Sequence, residues 1–189
     1  MRKIVLMMSV SLDGYFEGPD HDISWHRVDD ELHRYFNDTV ARMDGLISGR
    51  VTYDLMAAYW PTADADPTTP APMAEFARIW REIPKYVYSR TLEHADWNTT
   101  IVREVVPEEV RALKNRPGPG VLGLGGADLG ATFLHHGLVD ELHLCVHPVL
   151  IGRGKPLFPR TDTMTHLHLA ESRTFGNGVV LLRYDVAHD

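Results

Sequence analysis

The residues best suited to chemistry sit in three short turns, and the chemistry they suit is the holding of phosphate. In LGLGGADLG (residues 122–130) an apolar run breaks at Gly125-Gly126 and a helical pattern follows. Glycine has no Cβ, so a diphosphate can approach that backbone closely. The amides of Ala127, Asp128 and Leu129 then open a helix, whose unsatisfied N–H groups and dipole attract anions. ISGRVTYD (47–54) brings free amides, a guanidinium and a hydroxyl together at Gly49, Arg50 and Thr52. VYSRTL (87–92) sets Ser89 and Arg90 directly after a strand.

Each turn also has a plainer reading. Gly125-Gly126 makes an ordinary strand-to-helix corner, and Arg50 and Arg90, taken singly, read as solvated charges. The dinucleotide fingerprint G-x-G-x-x-G does not fit. Counted from Gly123, its third glycine falls on Asp128, and HPVL stands where an acidic residue should end the next strand. Taken together, the turns point to a phosphorylated dinucleotide, because arginine suits a 2′-phosphate. Beside such a ligand Asp128 is expected to turn its carboxylate back and cap the helix.

Other groups offer less. Asp13, before Gly14 in SLDGYFEGPD (11–20), is expected to order its turn through backbone hydrogen bonds. Tyr53, Met56, Tyr59 and Trp60 suit either a pocket for a flat substrate or a helix core. His143, Cys145 and His147 alternate along one strand face, but no fourth ligand has suitable spacing. They are expected to pack, with no metal site.

These groups need a frame that alternates strands and helices. Residues 3–10 form a continuous apolar run, the pattern of a strand covered on both faces. Helical spacing covers 29–43, 50–60, 73–83 and 107–115, and a further helix follows Gly126. Strands are expected at 44–49, 85–89, 99–104, 120–126 and 139–152. THLHLAESRTF and VVLLRYDV flank GNG as an antiparallel hairpin. The pattern predicts one α/β domain over residues 1–189: a mainly parallel central sheet, flanking helices and a C-terminal antiparallel hairpin. In a parallel sheet the turns after the strands share one rim, where ligands bind.

Composition narrows the partners. Of 189 residues, 26 are acidic and 19 basic, a net charge of −7 that disfavours nucleic acid and acidic membranes. Cys145 is the only cysteine, which excludes an intramolecular disulfide and fits a cytoplasmic protein. The N-terminal MRKIVLMMSV lacks a cleavage pattern and reads as a strand. No stretch approaches the ~20 apolar residues that a membrane span needs.

SLDGYFEGPD, SGRVTYDLMAAYWP, KYVYSRTL, the long stretch from LGLGGADLG to GRGKPLF and the final hairpin occur in this order. The ordered set resembles the dihydrofolate-reductase-like superfamily over essentially the whole chain. It is most similar to bacterial reductase domains like the C-terminal domain of the riboflavin-biosynthesis deaminase-reductase. The resemblance implies NADPH as hydride donor, bound across the shared rim. Arg50 would then meet the 2′-phosphate and Thr52 the diphosphate, with Gly49 a further cofactor-binding position. Ser89 and Arg90 would frame the adenosine phosphate, and Gly125, Gly126 and the next amides the pyrophosphate. The Ser11–Gly18 loop, with Asp13 and Tyr15, would border nicotinamide and substrate, and Trp25, Tyr53 and Met56 are further candidates for the substrate wall. In dihydrofolate reductases an acid on the first helix bonds the pterin. Trp25 followed by Asp30 resembles that spacing, which makes Asp30 the candidate catalytic acid. Asp29, Asp30 and Glu31 fit equally well as first-turn acids complementing a helix dipole.

The expected function is NADPH-dependent reduction of a small pterin- or pyrimidine-like heterocycle. A genuine dihydrofolate reductase and a nucleotide-binding or dimerisation module without turnover are the alternatives. The apolar hairpin and VDELHLCVHPVL offer strand surface for a homodimer.

Overall fold

The computed structural model describes residues 1–118, 120–158 and 164–187. The chain begins with β1 (Lys3–Ser11), a short β2 (Tyr15–Glu17), α1 (Asp30–Val40), β3 (Gly45–Gly49) and α2 (Arg50–Tyr59). It continues through α3 (Ala71–Glu82), β4 (Lys85–Tyr88), β5 (Thr99–Val102), α4 (Pro107–Lys114) and β6 (Val121–Gly125). It ends with α5 (Ala127–His135), β7 (Glu141–His147), β8 (Lys155–Pro156), β9 (Leu167–Thr174) and β10 (Val180–Val186).

Among the described residues, an eight-stranded sheet runs in the order β5-β4-β3-β6-β1-β7-β10-β9. The pairings from β5 across to β7 are parallel. β10 is antiparallel to both β7 and β9, which forms the expected C-terminal hairpin. This is a single α/β domain with a mostly parallel central sheet. The chain steps outward from β3 to β4 and β5, then returns to insert β6 between β3 and β1. Such a reversal places the turns after β3 and β6 side by side, and open α/β sheets bind ligands there.

β1 reads as an unbroken apolar run because both its faces are covered. Ile4 and Leu6 pack with Phe133 of α5 and with Val110 and Leu113 of α4. Met7 packs on the opposite face with Val40, Phe76 and Trp80 of the helices there. α5 lies close to β1 at Gly130, where a side chain would press on Leu6. A Cβ on Gly130 would stand 2.9 Å from Leu6 Cδ1.

Several elements depart from the expectation. The strand read over 139–152 ends at His147, because Pro148 has no N–H to extend the ladder. β2 and β8 form a separate antiparallel ribbon, too short to show any periodicity in the sequence. α3 begins at Ala71, two residues before the expected start at residue 73, with Pro72 in the first turn, where the missing N–H costs nothing. No helix among the described residues is long and apolar enough to cross a membrane.

Candidate functional site

Parallel register carries the C-terminal ends of β3, β4 and β6 to one rim. Ser48 pairs with Gly125 and Gly49 with Tyr88. Two helices start there, α2 after Gly49 and α5 after Gly126, and neither N-terminus has a side-chain cap. α1 differs, since Asp29 accepts a hydrogen bond from the Leu32 N–H at 3.0 Å. Uncapped amides of two neighbouring helices therefore face the same rim, an arrangement that attracts an anion. Gly126 adopts φ 96° and ψ 130°, which L side chains rarely enter, and a Cβ there would stand 3.0 Å from Thr52 Oγ1. The Gly126 N–H donates to Met8 Sδ at 3.3 Å.

The remaining rim residues divide into those facing outward and those building the turns. Arg50 is exposed and donates to the Asp54 carboxylate (3.1 Å) and to Thr91 Oγ1 (2.9 Å), tying α2 to the 89–92 turn. Ser89 is buried, and its Oγ accepts from the N–H groups of Thr91 (3.3 Å) and Leu92 (3.0 Å). It shapes the turn from within, while the neighbouring Arg90 is exposed. Ala127 is buried and Leu129 half-buried, so both offer the rim their backbone amides. Asp128 corrects the expectation of a helix cap. Its exposed carboxylate pairs with Lys155 of β8 and leaves the α5 N-terminus uncapped.

A cavity of about 350 Å³ lies between α1 and the sheet. Met7 and Ser9 of β1 and His143 and Cys145 of β7 contribute to one side. His33 and Phe36 of α1, with Met56 and Trp60, contribute to the other. Among its described lining residues there is no Lys, Arg, Asp or Glu. Thr52, Met56 and Trp60, spaced i, i+4 and i+8, form one stripe that runs from the rim into the cavity. Met8 belongs to both, since it receives the Gly126 N–H and lines the cavity.

Of the candidate substrate residues, Met56 and Trp60 line this cavity, and Asp13, Tyr15, Trp25, Tyr53 and Tyr59 are not among its described lining residues. Tyr53 is instead core: it stacks on Trp80, and its hydroxyl bonds the backbone of Asp96. Trp25 packs edge-on against His26 (4.3 Å) and His147 (5.6 Å), while its Nε1–H donates to the Asp22 carbonyl. Tyr15 sits in the β2 ribbon, where its N–H donates to Ser11 Oγ. Asp13 joins the β1–β2 turn to the segment after β7, accepting from the N–H groups of Ile151 (3.2 Å) and Gly152 (2.7 Å). The Ser11 hydroxyl, ahead of those two amides, holds its carboxyl below the usual range. The first-turn acids of α1 have structural partners. Asp29 caps, Asp30 pairs with Arg34 at 3.3 Å on the exposed face, and Glu31 takes Arg173 and the Gly176 N–H. Asp30 thus lies outside the cavity lining.

The polar side chains that line the cavity are Ser9, Tyr35, Cys145 and the imidazoles of His26, His33 and His143, which the sequence did not single out as a set, and His147 lies behind His26. His26 stacks on His147 at 5.0 Å, and the Arg27 N–H donates to His147 Nδ1 at 3.0 Å. Burial pushes His147 down to about 4, and it lowers His26 and His143 as well. All three rings are therefore neutral near pH 7. Nε2 of His143 lies 2.8 Å from Glu141 and receives the Arg183 Nε–H at 3.1 Å. One ring nitrogen cannot donate to Glu141 and accept from Arg183 at once. Under either tautomer His143 Nδ1 is buried without a hydrogen-bond partner, as are His26 Nε2 and His147 Nε2. Burial raises the Cys145 thiol to about 12, so it stays protonated. The available sequence signal was the stripe of His33, Phe36 and Val40 at i, i+3 and i+7, which gives one face of α1 the cavity-lining residues.

The model of the RibD C-terminal domain family matches residues 2–181. Two Bacillus subtilis proteins of uncharacterised function are similar along nearly their whole lengths. YyaP is 37% identical over 97% of this chain and 94% of its own, and YwjB is 29% identical over 95% and 96%. Among solved structures, a Shewanella sp. PV-4 protein assigned provisionally to riboflavin biosynthesis superposes with a TM-score of 0.75 at 22% identity, covering both chains fully. A Thermotoga maritima diaminohydroxyphosphoribosylaminopyrimidine deaminase/5-amino-6-(5-phosphoribosylamino)uracil reductase gives 0.65 at 16%, over 98% of this chain and 57% of its own.

Proposed function

The chain belongs to the RibD C-terminal domain family, and on that basis we propose that it is an NADPH-dependent reductase of a small pyrimidine-like heterocycle. The observation that carries this reading is the pair of uncapped helix N-termini, α2 and α5, set side by side on the rim next to an apolar cavity. The residues present fit the cofactor. The amides after Gly49 and Gly126 would receive the diphosphate, with Thr52 beside them. Arg50 would hold the 2′-phosphate, Arg90 would face the adenosine end, and Ser89 would keep that turn in shape. Bound NADPH supplies a hydride from its nicotinamide ring.

The protein's part is alignment and proton supply. The apolar walls of the cavity orient a flat acceptor. No carboxyl group is among the described lining residues, so solvent supplies the accompanying proton, relayed by a neutral imidazole of His26 or His143 that takes up one proton as it gives another. The exposed Asp30–Arg34 pair takes no part, which leaves the dihydrofolate reductase alternative without its acid. A homodimer through the apolar strand surface of the hairpin belongs to the same reading, and light scattering that finds only monomer removes it.

Calorimetric titration with NADPH and NADH tests the proposal. NADPH is expected to bind at least tenfold more tightly, a difference of about 1.4 kcal/mol, and Arg50→Ala to erase the preference. Absence of heat with either cofactor at millimolar concentration overturns it. Binding without oxidation across a panel of acceptors would reduce the protein to a nucleotide-binding module.

A further inference from the structure

We infer that the cavity takes a neutral, planar heterocycle with a lactam edge and no phosphate group, read by the imidazoles of His26 and His143. This inference rests on the reductase reading of the same site and narrows its substrate class.

The walls set the charge. Met7, Val28, Phe36, Val40, Trp60 and Phe76 supply apolar surface, and no cationic or anionic side chain is among the described lining residues. Moving a phosphate between such walls removes its hydration without replacing it, which is strongly unfavourable. Cations near the cavity lie outside its described lining. Arg34 pairs with Asp30, Arg173 with Glu31, and Arg183 with Glu141 and Glu171. Arg27, adjacent in sequence to the lining residue Val28, is exposed and lies outside the lining.

The imidazoles set the edge chemistry. Both rings line the cavity, and each has a buried nitrogen without a protein partner, Nε2 of His26 and Nδ1 of His143. Buried polar atoms are normally hydrogen-bonded, so two orphans at one cavity ask for a ligand. Burial keeps the rings neutral, with one N–H and one lone pair each. A lactam presents an N–H beside a carbonyl and so pairs with either tautomer. The volume of about 350 Å³ lies near the lower end of the ~300–1,000 Å³ typical of small-ligand sites, which suits one or two fused rings.

The test is calorimetry on the full chain, with and without saturating NADPH, using pteridine-2,4-dione, uridine and uridine 5′-monophosphate as probes. Pteridine-2,4-dione is expected to bind, with an affinity that does not change as salt rises. The monophosphate should bind no more tightly than uridine. His26→Phe and His143→Phe, which keep ring volume and remove the nitrogens, should each weaken pteridine-2,4-dione at least tenfold while NADPH affinity stays unchanged. If His143→Phe fails to fold because Glu141 and Arg183 lose their partner, His26→Phe carries the test alone. The inference is overturned if the monophosphate binds tenfold tighter than uridine with a salt dependence. It is equally overturned if pteridine-2,4-dione fails to bind a protein that does bind NADPH, or binds His26→Phe undiminished. Pteridine-2,4-dione binding without any NADPH binding would leave the cavity assignment standing and remove the reductase reading.

Discussion

The two rims of the parallel sheet are built on opposite plans. At the N-terminal rim the polar groups are turned inward and used. Lys114 Nζ pairs with Asp140 at 2.7 Å, and Asp140 also accepts the Ile4 N–H at 2.7 Å. Arg2 lies 3.6 Å from Asp44 with both side chains nearly buried, though Arg2 Nε itself has no partner. Lys85 donates to the carbonyls of Ile83 (2.8 Å) and Trp97 (2.6 Å), and burial brings it down to about 8. At the C-terminal rim α2 and α5 start without caps, and Arg50 and Arg90 are exposed. The first rim holds the sheet together. The second leaves the first amides of two helices without side-chain partners.

Breaking the contrast at the N-terminal rim should have the largest effect. Lys114→Met removes the buried ammonium that pairs with Asp140 and is expected to cost about 3 kcal/mol in a urea melt, with NADPH affinity of the folded protein unchanged. If affinity falls along with stability, the rims are not separate.

Acid should strain the other end. The folded-state value of His147, at the C-terminal end of β7, lies below its unfolded value of about 6.5. Its contribution is therefore fully present above pH ~6.5 and is lost as pH falls towards about 4, where the folded ring finally takes a proton. His26 and His143, shifted the same way, add to it. Stability is expected to drop by about 3 kcal/mol over that window, and His147→Gln to flatten the profile. A flat wild-type profile would show that these rings are not held neutral by burial.

At the junction of α5 and β6, Gly126→Ala forces an L residue to φ 96° and sets its Cβ against Thr52. A stability loss of about 1–2 kcal/mol is expected, together with weaker NADPH binding. Arg50→Ala should be the mildest for the fold, within about 0.5 kcal/mol, because it is a surface change. Its effect should appear in cofactor preference instead. The reverse pattern, with Arg50→Ala destabilising and Gly126→Ala silent, would invert the roles assigned here.

Sequence patterns revealed the frame and the outer rim more readily than the cavity. Continuous apolar runs at β1 and β6, helical stripes between them and the GNG turn made the sheet and hairpin legible, because each is a local periodicity. The turns at Gly49-Arg50, Ser89-Arg90 and Gly125-Gly126 were legible because parallel strands bring them to one rim. Asp128 was not, since its partner Lys155 stands 27 positions away in a two-residue strand with no pattern. Tyr53 suited either a pocket wall or a helix core, because its hydroxyl partner, the backbone of Asp96, is fixed only in three dimensions. The cavity joins β1, α1, α2 and β7, so His26, His33 and His143 become one set only after folding.

Amide chemical shifts on addition of NADPH test the central claim most directly. The account predicts the largest changes at the first amides of α2 and α5, Val51–Thr52 and Ala127–Leu129, with little change at Ile4 and Asp140. Shifts concentrated at the N-terminal rim, or none at saturating cofactor, would contradict it.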